Sequence, residues 1–227
     1  MFERSRPLFG EMGLKKLEDS TVCVVGLGGV GSFAVEALAR SGVGHLIIVD
    51  RDVYEGSNLN RQLGALHSTL GQPKTEVIAA RIRDINPDIT VTALQMFYNY
   101  DTKARLFEHR FDYLFDAIDT VTFKIDLIDE CIKRNIPFLT SCGQGNRVDA
   151  TQVIITDIRK TTHDPIAKVL RLKFKERRVH TKIPCVFSTE VPKKKPHQRQ
   201  PASNALVPSV AGLTAASHII QALVKGC

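Results

Sequence analysis

Tryptophan is absent from this 227-residue sequence, methionine occurs three times and cysteine five times. The cysteines are odd in number and widely scattered, and no two of them form a Cys-x-x-Cys pair: Cys23, Cys131, Cys142, Cys185 and Cys227. This arrangement argues against a structural zinc site of the four-cysteine type and rules out a disulfide scaffold. With 43% hydrophobic and 24% charged residues, the composition also excludes a disordered or collagen-like chain, and the length suits one globular domain.

A secretory signal is lacking as well. The start of the chain, MFERSRPLFG, carries Glu3, Arg4 and Arg6 before any apolar run can form. We therefore expect reduced thiols and a cytoplasmic location.

Acidic residues are scarce in one part of the chain. Residues 159–199 carry 13 Lys and Arg against three carboxylates, a net charge of +10, whereas the remainder carries 18 basic and 21 acidic residues. A mildly acidic body with a basic C-terminal third is typical of a protein with a polyanion-binding surface. A solvated, charged helix and loop without a partner is the alternative.

Apolar runs and helical patterns alternate along the first 141 residues. The runs TVCVV (21–25) and HLIIVD (45–50) are continuously apolar, as in strands that are buried on both faces. Helical patterns at 31–41 and 74–86 follow them, and the alternation continues through ITVTAL (89–94), a helix near 102–108, YLFDA (113–117), a helix at 122–134 and PFLTS (137–141). This order predicts an α/β, Rossmann-like, mostly parallel sheet with helices on both faces, plus a C-terminal extension.

The extension begins with a strand pattern at 151–158. Asp164-Pro165 then predicts the cap and first residue of a helix whose basic face carries Lys168, Arg171, Lys175 and Arg178. The strand-like CVFSTE follows, and then a lysine- and proline-rich stretch that we expect to be mobile, so that 159–203 forms a basic helix and loop.

The last segment, 205–224, has no charged residue and reaches the length of a membrane span. One proline and five polar residues favour a buried or dimer-packing helix over membrane association: Pro208, Ser209, Thr214, Ser217, His218 and Gln221.

A glycine motif connects the first strand to the first helix of the alternation. Gly26, Gly28 and Gly31 fit G-x-G-x-x-G, and Asp50 ends the next strand. Glycines let a backbone approach phosphate, the start of a helix attracts anions, and the carboxylate can accept both ribose hydroxyls. The motif predicts a nucleotide site, and on its own it favours an NAD-dependent dehydrogenase.

Charged residues further along favour a nucleoside triphosphate instead. Arg61 lies in SNLNRQ (57–62), and Lys74 begins a predicted helix. A triphosphate needs such cations because its β and γ groups carry most of its charge. Asp116-Ala-Ile-Asp119 places carboxylates where a parallel strand ends, which suits Mg²⁺ bridging phosphates. The alternatives are surface solvation for both cations and a helix N-cap for Asp119.

These motifs together resemble a known superfamily. GLGGVG, the acidic end of the next strand, NLNRQ, the downstream lysine and DAID look like the adenylation domain of ubiquitin-activating and ThiF/MoeB enzymes, which transfer AMP from ATP to a carboxylate. Together with INP, TxxDP and CVFSTE, they are most similar to the tRNA threonylcarbamoyladenosine dehydratases. The similarity covers nearly all of the chain. It implies one ThiF-type adenylation domain over 1–227, within which 159–203 is the basic helix and crossover-type loop.

The resemblance also implies roles for individual residues. Asp50 would hold the ribose and Asp119 would bind Mg²⁺, with Arg61, Lys74 and Asp119 as the catalytic groups. The residues implied to line the nucleotide are Gly26, Gly28 and Gly31, and those implied to contact the phosphates of ATP are Asn58, Arg61, Gln62 and Lys74. An N-terminal arginine, for which Arg6 is the candidate, would reach the triphosphate of a neighbouring subunit in a homodimer.

The implied reaction is an ATP-dependent dehydration of threonylcarbamoyladenosine next to the anticodon of tRNA. The threonyl carboxylate would be adenylated, and an atom of the same side chain would displace AMP and close a ring. Because that nucleophile is tethered, the step needs no enzyme thiol. Cys185, which precedes FSTE, is either a small buried strand residue or a thiol of the kind that thioester-forming relatives use.

Three other functions share some of these features. An activating enzyme for a sulfur-carrier or ubiquitin-like protein has the same adenylation site, but the chain lacks the paired Cys-x-x-Cys zinc ligands of sulfur-carrier activators and the extra domains of ubiquitin-activating enzymes. An NAD-dependent oxidoreductase is disfavoured by Arg61, Lys74 and Asp119. A non-enzymatic tRNA-binding or sulfur-relay scaffold would keep a nucleotide only for structure, and a sulfur-relay protein partner is a further expectation.

The lysine-rich stretch provides a test of the polyanion surface. Changing Lys193, Lys194 and Lys195 together to Ala should weaken tRNA binding and leave ATP binding unchanged, because these cations would contact phosphates of the anticodon stem. Binding titrations with tRNA at several salt concentrations measure the effect. Unchanged tRNA affinity at physiological salt would contradict it.

Overall fold

The computed structural model describes residues 1–193 and 201–225 of the chain. In this part of the chain seven strands form one sheet in the order β3-β2-β1-β4-β5-β7-β6, parallel throughout except for the antiparallel pair β6 and β7. The strands are β1 (Thr21–Val25), β2 (His45–Asp50), β3 (Thr90–Gln95), β4 (Tyr113–Asp116), β5 (Phe138–Ser141), β6 (Val153–Asp157) and β7 (Pro184–Ser188). The predicted α/β, Rossmann-like, mostly parallel sheet is confirmed.

Seven α-helices accompany the sheet in the described residues: α1 (Arg6–Glu18), α2 (Gly31–Arg40), α3 (Lys74–Ile85), α4 (Lys103–Phe107), α5 (Val121–Lys133), α6 (Pro165–Glu176) and α7 (Leu206–Val224). The sequence patterns predict all of them except α1, with ends that differ by one or two residues. The helix α1 gives little periodic signal because Gly10 interrupts it with φ 67° and ψ 175°.

Two apolar clusters cover the two faces of the sheet. Alternate residues of β1 point to opposite sides: Val22 and Val24 pack with α1, α2, α3 and α7, whereas Cys23 and Val25 pack with α4, α5 and α6. Strands buried on both faces lose the alternation of apolar and polar residues, which explains the continuous apolar runs in the sequence. Helices therefore lie on both faces, as predicted.

Among the described residues, α7 has the length and the apolar composition of a helix that could cross a membrane. It instead packs within the protein, and its buried residues include Val207, Ala211, Ala215 and Ile219, all 0% exposed. Gly212 lies so close to α2 that a Cβ there would be 2.2 Å from the carbonyl oxygen of Val30. The prediction of a packed helix is therefore in agreement with the structure.

The predicted basic face of α6 is only partly present. Lys168 and Lys175 are exposed, but Arg171 is half-buried and donates to the carbonyl oxygen of Thr161 at 2.8 Å. Arg178 lies beyond the end of α6 with φ 54°. The predicted face of four exposed cations is not formed, for two reasons. The helix α6 ends at Glu176, two residues before Arg178, and the guanidinium of Arg171 is hydrogen-bonded to the carbonyl oxygen of Thr161. Residues 194–200 of the loop, including Lys194 and Lys195, lie outside the described residues, as does Cys227.

The segments on either side of 194–200 meet at one residue. The backbone N–H of Lys193 donates to the carbonyl oxygen of Asn146 at 2.7 Å, and the N–H of Asn146 donates to the carbonyl oxygen of Ala202 at 2.7 Å. Asn60, in the NLNRQ motif, donates to the carbonyl oxygen of Ser203 at 3.0 Å. The described residues on either side of 194–200 are thus held beside the carboxyl ends of the strands.

The contact between α7 and α2 can be tested with a pair of glycine substitutions. Gly212→Ala should lower the free energy of unfolding by about 1–3 kcal/mol, because the added methyl group meets backbone rather than a movable side chain. The matched control, Gly56→Ala, adds a methyl group with no atom within 4 Å. Urea denaturation measures both, and equal stabilities of the two variants would show that α7 can shift away from α2.

Candidate nucleotide-binding site

A cleft of about 710 Å³ opens at the carboxyl ends of β1 and β4. The strand order reverses here, because β1 pairs with β2 on one side and with β4 on the other. In open α/β sheets this switch point is where ligands bind. Of the residues predicted for the site, those in the wall of the cleft are Gly26, Gly28, Asp50, Asn58, Arg61, Gln62, Lys74 and Asp119.

The glycine motif divides into two structural roles. Gly26 has φ 97°, and a Cβ on it would lie 2.7 Å from the carbonyl oxygen of Ala117. Gly28 lies in the wall of the cleft. Gly31 does not line the cleft: a Cβ there would be 1.8 Å from the carbonyl oxygen of Gly26, so this glycine lets α2 pack against the end of β1. The interpretation of Gly31 as a lining residue is corrected accordingly.

Asp50 is held at the rim by two backbone groups. Its Oδ2 accepts from the N–H of Leu27 at 2.7 Å, and its Oδ1 accepts from the N–H of Asp52 at 2.9 Å. Each carboxylate oxygen keeps a further acceptor site. The carboxylate is therefore oriented and still able to accept the two hydroxyls of a ribose.

Both cations that the sequence predicts for the site, Lys74 and Arg61, lie in the wall of the cleft. The side chain of Lys74 is only 6% exposed, and its Nζ donates to Asp52 at 3.2 Å. Surface solvation is thus wrong for Lys74. Arg61 is half-buried and donates to the carbonyl oxygen of Ser57 at 2.8 Å and to Asn60 Oδ1 at 2.9 Å. The low exposure of Lys74 limits the water that competes with an anion for its ammonium.

Buried amides complete this side of the cleft. Asn58 is 8% exposed, and its Oδ1 accepts from the N–H of Glu55 at 3.2 Å. Gln62 is also 8% exposed, and its Oε1 has no hydrogen-bond partner within the described residues. A buried polar atom without a partner is costly, so the Gln62 amide fits a wall that a polar ligand completes.

The two carboxylates of DAID lie in different environments. Asp116 is completely buried and binds Lys124 and Thr140, so the interpretation that places it beside the crevice is wrong. Asp119 is exposed in the cleft. The N-cap of α5 is Thr120, which excludes the alternative that Asp119 holds that position.

Asp119 is a single carboxylate rather than part of a metal cluster. The described residues contain no group of three or more His, Cys, Asp or Glu placed to hold a metal ion. Mg²⁺ in phosphate-transfer sites is commonly bound by one or two carboxylates together with water and substrate phosphates. An exposed carboxylate in a cleft that also contains Arg61 and Lys74 fits that kind of site.

The sequence patterns did not predict the wall beyond Asp50. Arg51 lies over the ring of Phe97, with 4.2 Å from the guanidinium carbon to the ring centroid, and Phe97 packs edge-on against Phe123 at 5.2 Å. Arg51 and Phe97 both line the cleft. The sequence could have indicated Arg51, because it directly follows Asp50 at the end of β2. No sequence pattern relates Arg51 to Phe97, so their contact could not be predicted.

Arg6 lies away from this cleft. It begins α1, is exposed and pairs with Glu11. Arg6 is absent from the wall formed by its own chain.

Cysteine thiols do not line the cleft within the described residues. Cys23, Cys131, Cys142 and Cys185 are free and buried, which confirms Cys185 as a buried strand residue. A hydrogen bond with Cys185, together with burial, raises the pKa of the Cys142 thiol well above its usual range. Neither thiol of this pair is suited to act as a nucleophile.

Comparisons with known proteins agree with this geometry. A model of the ThiF family matches residues 2–226. The tRNA threonylcarbamoyladenosine dehydratase of Bacillus subtilis is 46% identical over 240 aligned residues, 99% of this chain and 94% of that protein. The crystal structure of Escherichia coli tRNA N6-threonylcarbamoyladenosine dehydratase, TcdA, in complex with ATP superposes with a TM-score of 0.91 at 38% identity, and the match covers 98% of this chain and 93% of that one.

A relative with another substrate matches less of the chain. The sulfur carrier protein ThiS adenylyltransferase of Escherichia coli is 35% identical over 133 residues, 59% of this chain and 53% of that protein.

The buried thiols lead to a prediction about reactivity. In the native protein, alkylation of Cys23, Cys131, Cys142 and Cys185 by iodoacetamide should be slower by on the order of 100-fold or more than in urea, because the buried sulfur atoms are inaccessible to the reagent. Peptide mass spectrometry measures each cysteine separately. Rapid native labelling of Cys185 would revive its candidacy as a nucleophile.

Proposed function

Because this chain belongs to the ThiF family, we propose that it catalyses the ATP-dependent dehydration, by cyclisation, of threonylcarbamoyladenosine next to the anticodon of tRNA. The observation that carries the proposal is the agreement along the whole chain with threonylcarbamoyladenosine dehydratases, including one solved with ATP. The match over residues 2–226 supports treating 1–227 as one adenylation domain.

ATP is proposed to enter the cleft with its ribose on Asp50 and its phosphates between the glycine turn and the two cations. The anchored carboxylate of Asp50 and the buried ammonium of Lys74 support this orientation. Asn58, Arg61 and Gln62 would complete the phosphate contacts. The adenine would then lie beyond the ribose, near Arg51 and Phe97, which also line the cleft.

Asp119 is proposed to bind Mg²⁺ that the nucleotide brings. When bound, the ion neutralises phosphate charge and helps pyrophosphate to leave. The exposed carboxylate of Asp119 in the cleft supports this assignment.

The chemistry proceeds in two steps. An oxygen of the threonyl carboxylate attacks the α-phosphorus of ATP, forming an acyl adenylate as the bond to pyrophosphate breaks. A nucleophilic atom of the same side chain then attacks the activated carbonyl, and AMP leaves with the carboxylate oxygen. Arg61 and Lys74 would stabilise the charge that accumulates on the phosphates, which is usually the largest catalytic contribution. The tethered nucleophile makes ring closure unimolecular, so the buried thiols are not needed.

The rival functions fit the molecule less well. A sulfur-carrier activating enzyme shares the adenylation site, but the similarity to the ThiS adenylyltransferase covers 59% of this chain against 99% for the Bacillus subtilis dehydratase. An NAD-dependent oxidoreductase does not need the buried Lys74 and the exposed Asp119 together. A scaffold without activity would not need a buried ammonium and an exposed carboxylate in one cleft.

Assembly and location are further parts of the proposal. Apolar side chains are exposed on α1 and α7, among them Leu8 at 79% and Leu206 at 59%, and they support a homodimer. Arg6, exposed near Leu8 at the start of α1, would then reach the triphosphate of the neighbouring subunit. A tRNA substrate and free cysteines support a cytoplasmic location. A sulfur-relay partner stays a prediction of the resemblance.

The deciding experiment is mass spectrometry of nucleosides from tRNA that carries threonylcarbamoyladenosine, after incubation with the protein, ATP and Mg²⁺. We expect this nucleoside to lose one water while AMP and pyrophosphate form. Asp119→Ala should reduce turnover by a factor of about 100 or more, because charge on the phosphates is then poorly stabilised.

The matched control is Asp88→Ala, which removes an exposed carboxylate just before the amino end of β3. The cleft lies at the other end of the strands, where they finish. The control variant should retain full activity. If the nucleoside is unchanged although the protein binds ATP, the dehydratase proposal is wrong. The protein would then adenylate a different carboxylate, such as that of a sulfur carrier.

A further inference from the structure

A fully buried ion pair lies directly beneath the cleft. The side chains of Asp116 and Lys124 are both 0% exposed, and Nζ of Lys124 lies 2.8 Å from Oδ2 of Asp116. Thr140 completes the cluster, since its Oγ1 donates to the same Oδ2 at 2.6 Å and accepts from Nζ at 3.1 Å. The cluster thereby joins the end of β4, the first turn of α5 and β5.

The second oxygen of Asp116 faces the chain that follows β4. Its Oδ1 accepts from the backbone N–H of Ile118 at 3.2 Å. The neighbouring N–H of Ala117 donates to the carbonyl oxygen of Val25 at 2.8 Å. The turn that carries Asp119 is therefore held at two successive amides, one by β1 and one by Asp116.

The stability of the fold does not require this pair to be ionic. Taking two charges out of water costs so much that an apolar pair of similar volume is often equally or more stable. An apolar pair cannot, however, accept a hydrogen bond from Ile118. The specific contribution of the buried carboxylate is its contact with the turn.

We propose that Asp116, fixed by Lys124 and Thr140, is a positioning residue that sets the turn 117–120 so that Asp119 faces the nucleotide. The inference rests on the proposed function, in which Asp119 binds the Mg²⁺ of Mg·ATP. Groups that orient a metal-binding carboxylate commonly change metal affinity by about 10- to 100-fold when removed. The role belongs to Asp116, because Lys124 and Thr140 act only through it.

Two double variants separate positioning from burial. Asp116→Asn with Lys124→Met keeps an oxygen that can accept from Ile118 and an amide that can donate to Thr140. Asp116→Leu with Lys124→Met has the same neutral interior but no acceptor for Ile118. Isothermal titration with ATP, in Mg²⁺ and in EDTA, measures how strongly the metal assists nucleotide binding.

We expect the asparagine variant to retain the Mg²⁺-dependent gain in ATP affinity within about twofold. The leucine variant should lose about tenfold or more of that gain, while its affinity for ATP in EDTA stays unchanged. Urea denaturation of both variants confirms that they fold. If the leucine variant does not fold, Thr140→Val, which removes one of the two side-chain donors to Oδ2 of Asp116, should show a smaller loss in the same direction.

Two results would overturn the inference: equal Mg²⁺ dependence in the two double variants, or an equal loss of ATP affinity with and without the metal. The variant Asp119→Ala shows whether such a result contradicts only the role of Asp116 or also the role of Asp119. If it abolishes the Mg²⁺-dependent gain while the double variants behave alike, only the positioning role fails. If Asp119→Ala has no effect, the assignment of Asp119 fails, and the positioning role fails with it. Dehydration by the wild-type protein is measured separately and does not depend on either result.

Discussion

The site depends on the close approach of two backbone turns at the switch point between β1 and β4. The carbonyl oxygen of Gly26 occupies the space that a side chain on Gly31 would need, and Ala117 occupies the space beside Gly26. Only hydrogen fits at both glycines, so α2 can start directly above β1 while the turn after β4 packs against it. The nucleotide cleft is the space that this approach leaves between the first turn of α2 and Asp119.

The chemistry of the cleft comes from how charge is divided between its wall and the layer below. Asp50 and Asp119 face the cleft, whereas Asp116 is fully buried and forms an ion pair with Lys124. Lys74 is buried but remains in the wall, where its only described ion-pair partner is the half-exposed Asp52. Low exposure strengthens the interaction of this ammonium with an incoming anion because little water screens it.

The C-terminal extension brings the basic part of the chain to this same edge of the sheet. Asn146 binds backbone groups on both sides of residues 194–200, and Asn60 connects the phosphate-side motif to Ser203. Arg147, 2% exposed, donates to the carbonyl oxygen of Glu190 at 3.0 Å and lies 3.4 Å from Asp164, the N-cap of α6. The basic helix and the nucleotide cleft are therefore parts of one connected structure, as an enzyme needs if it adenylates a group carried on a large polyanion.

The sequence alone determined the sheet and most of the site, because these depend on local signals. Continuous apolar runs predicted the buried strands, and the glycine motif, NLNRQ, Lys74 and DAID predicted which loops line the cleft. It did not predict α1, whose period is broken at Gly10, nor the contact between Arg51 and Phe97, which are far apart in the chain. Only the tertiary structure separated Asp116 from Asp119 and Gly31 from Gly28. Spacing places such residues at the same end of the sheet, but burial and backbone contact, which depend on distant elements, decide which of them line the cleft and which support the fold.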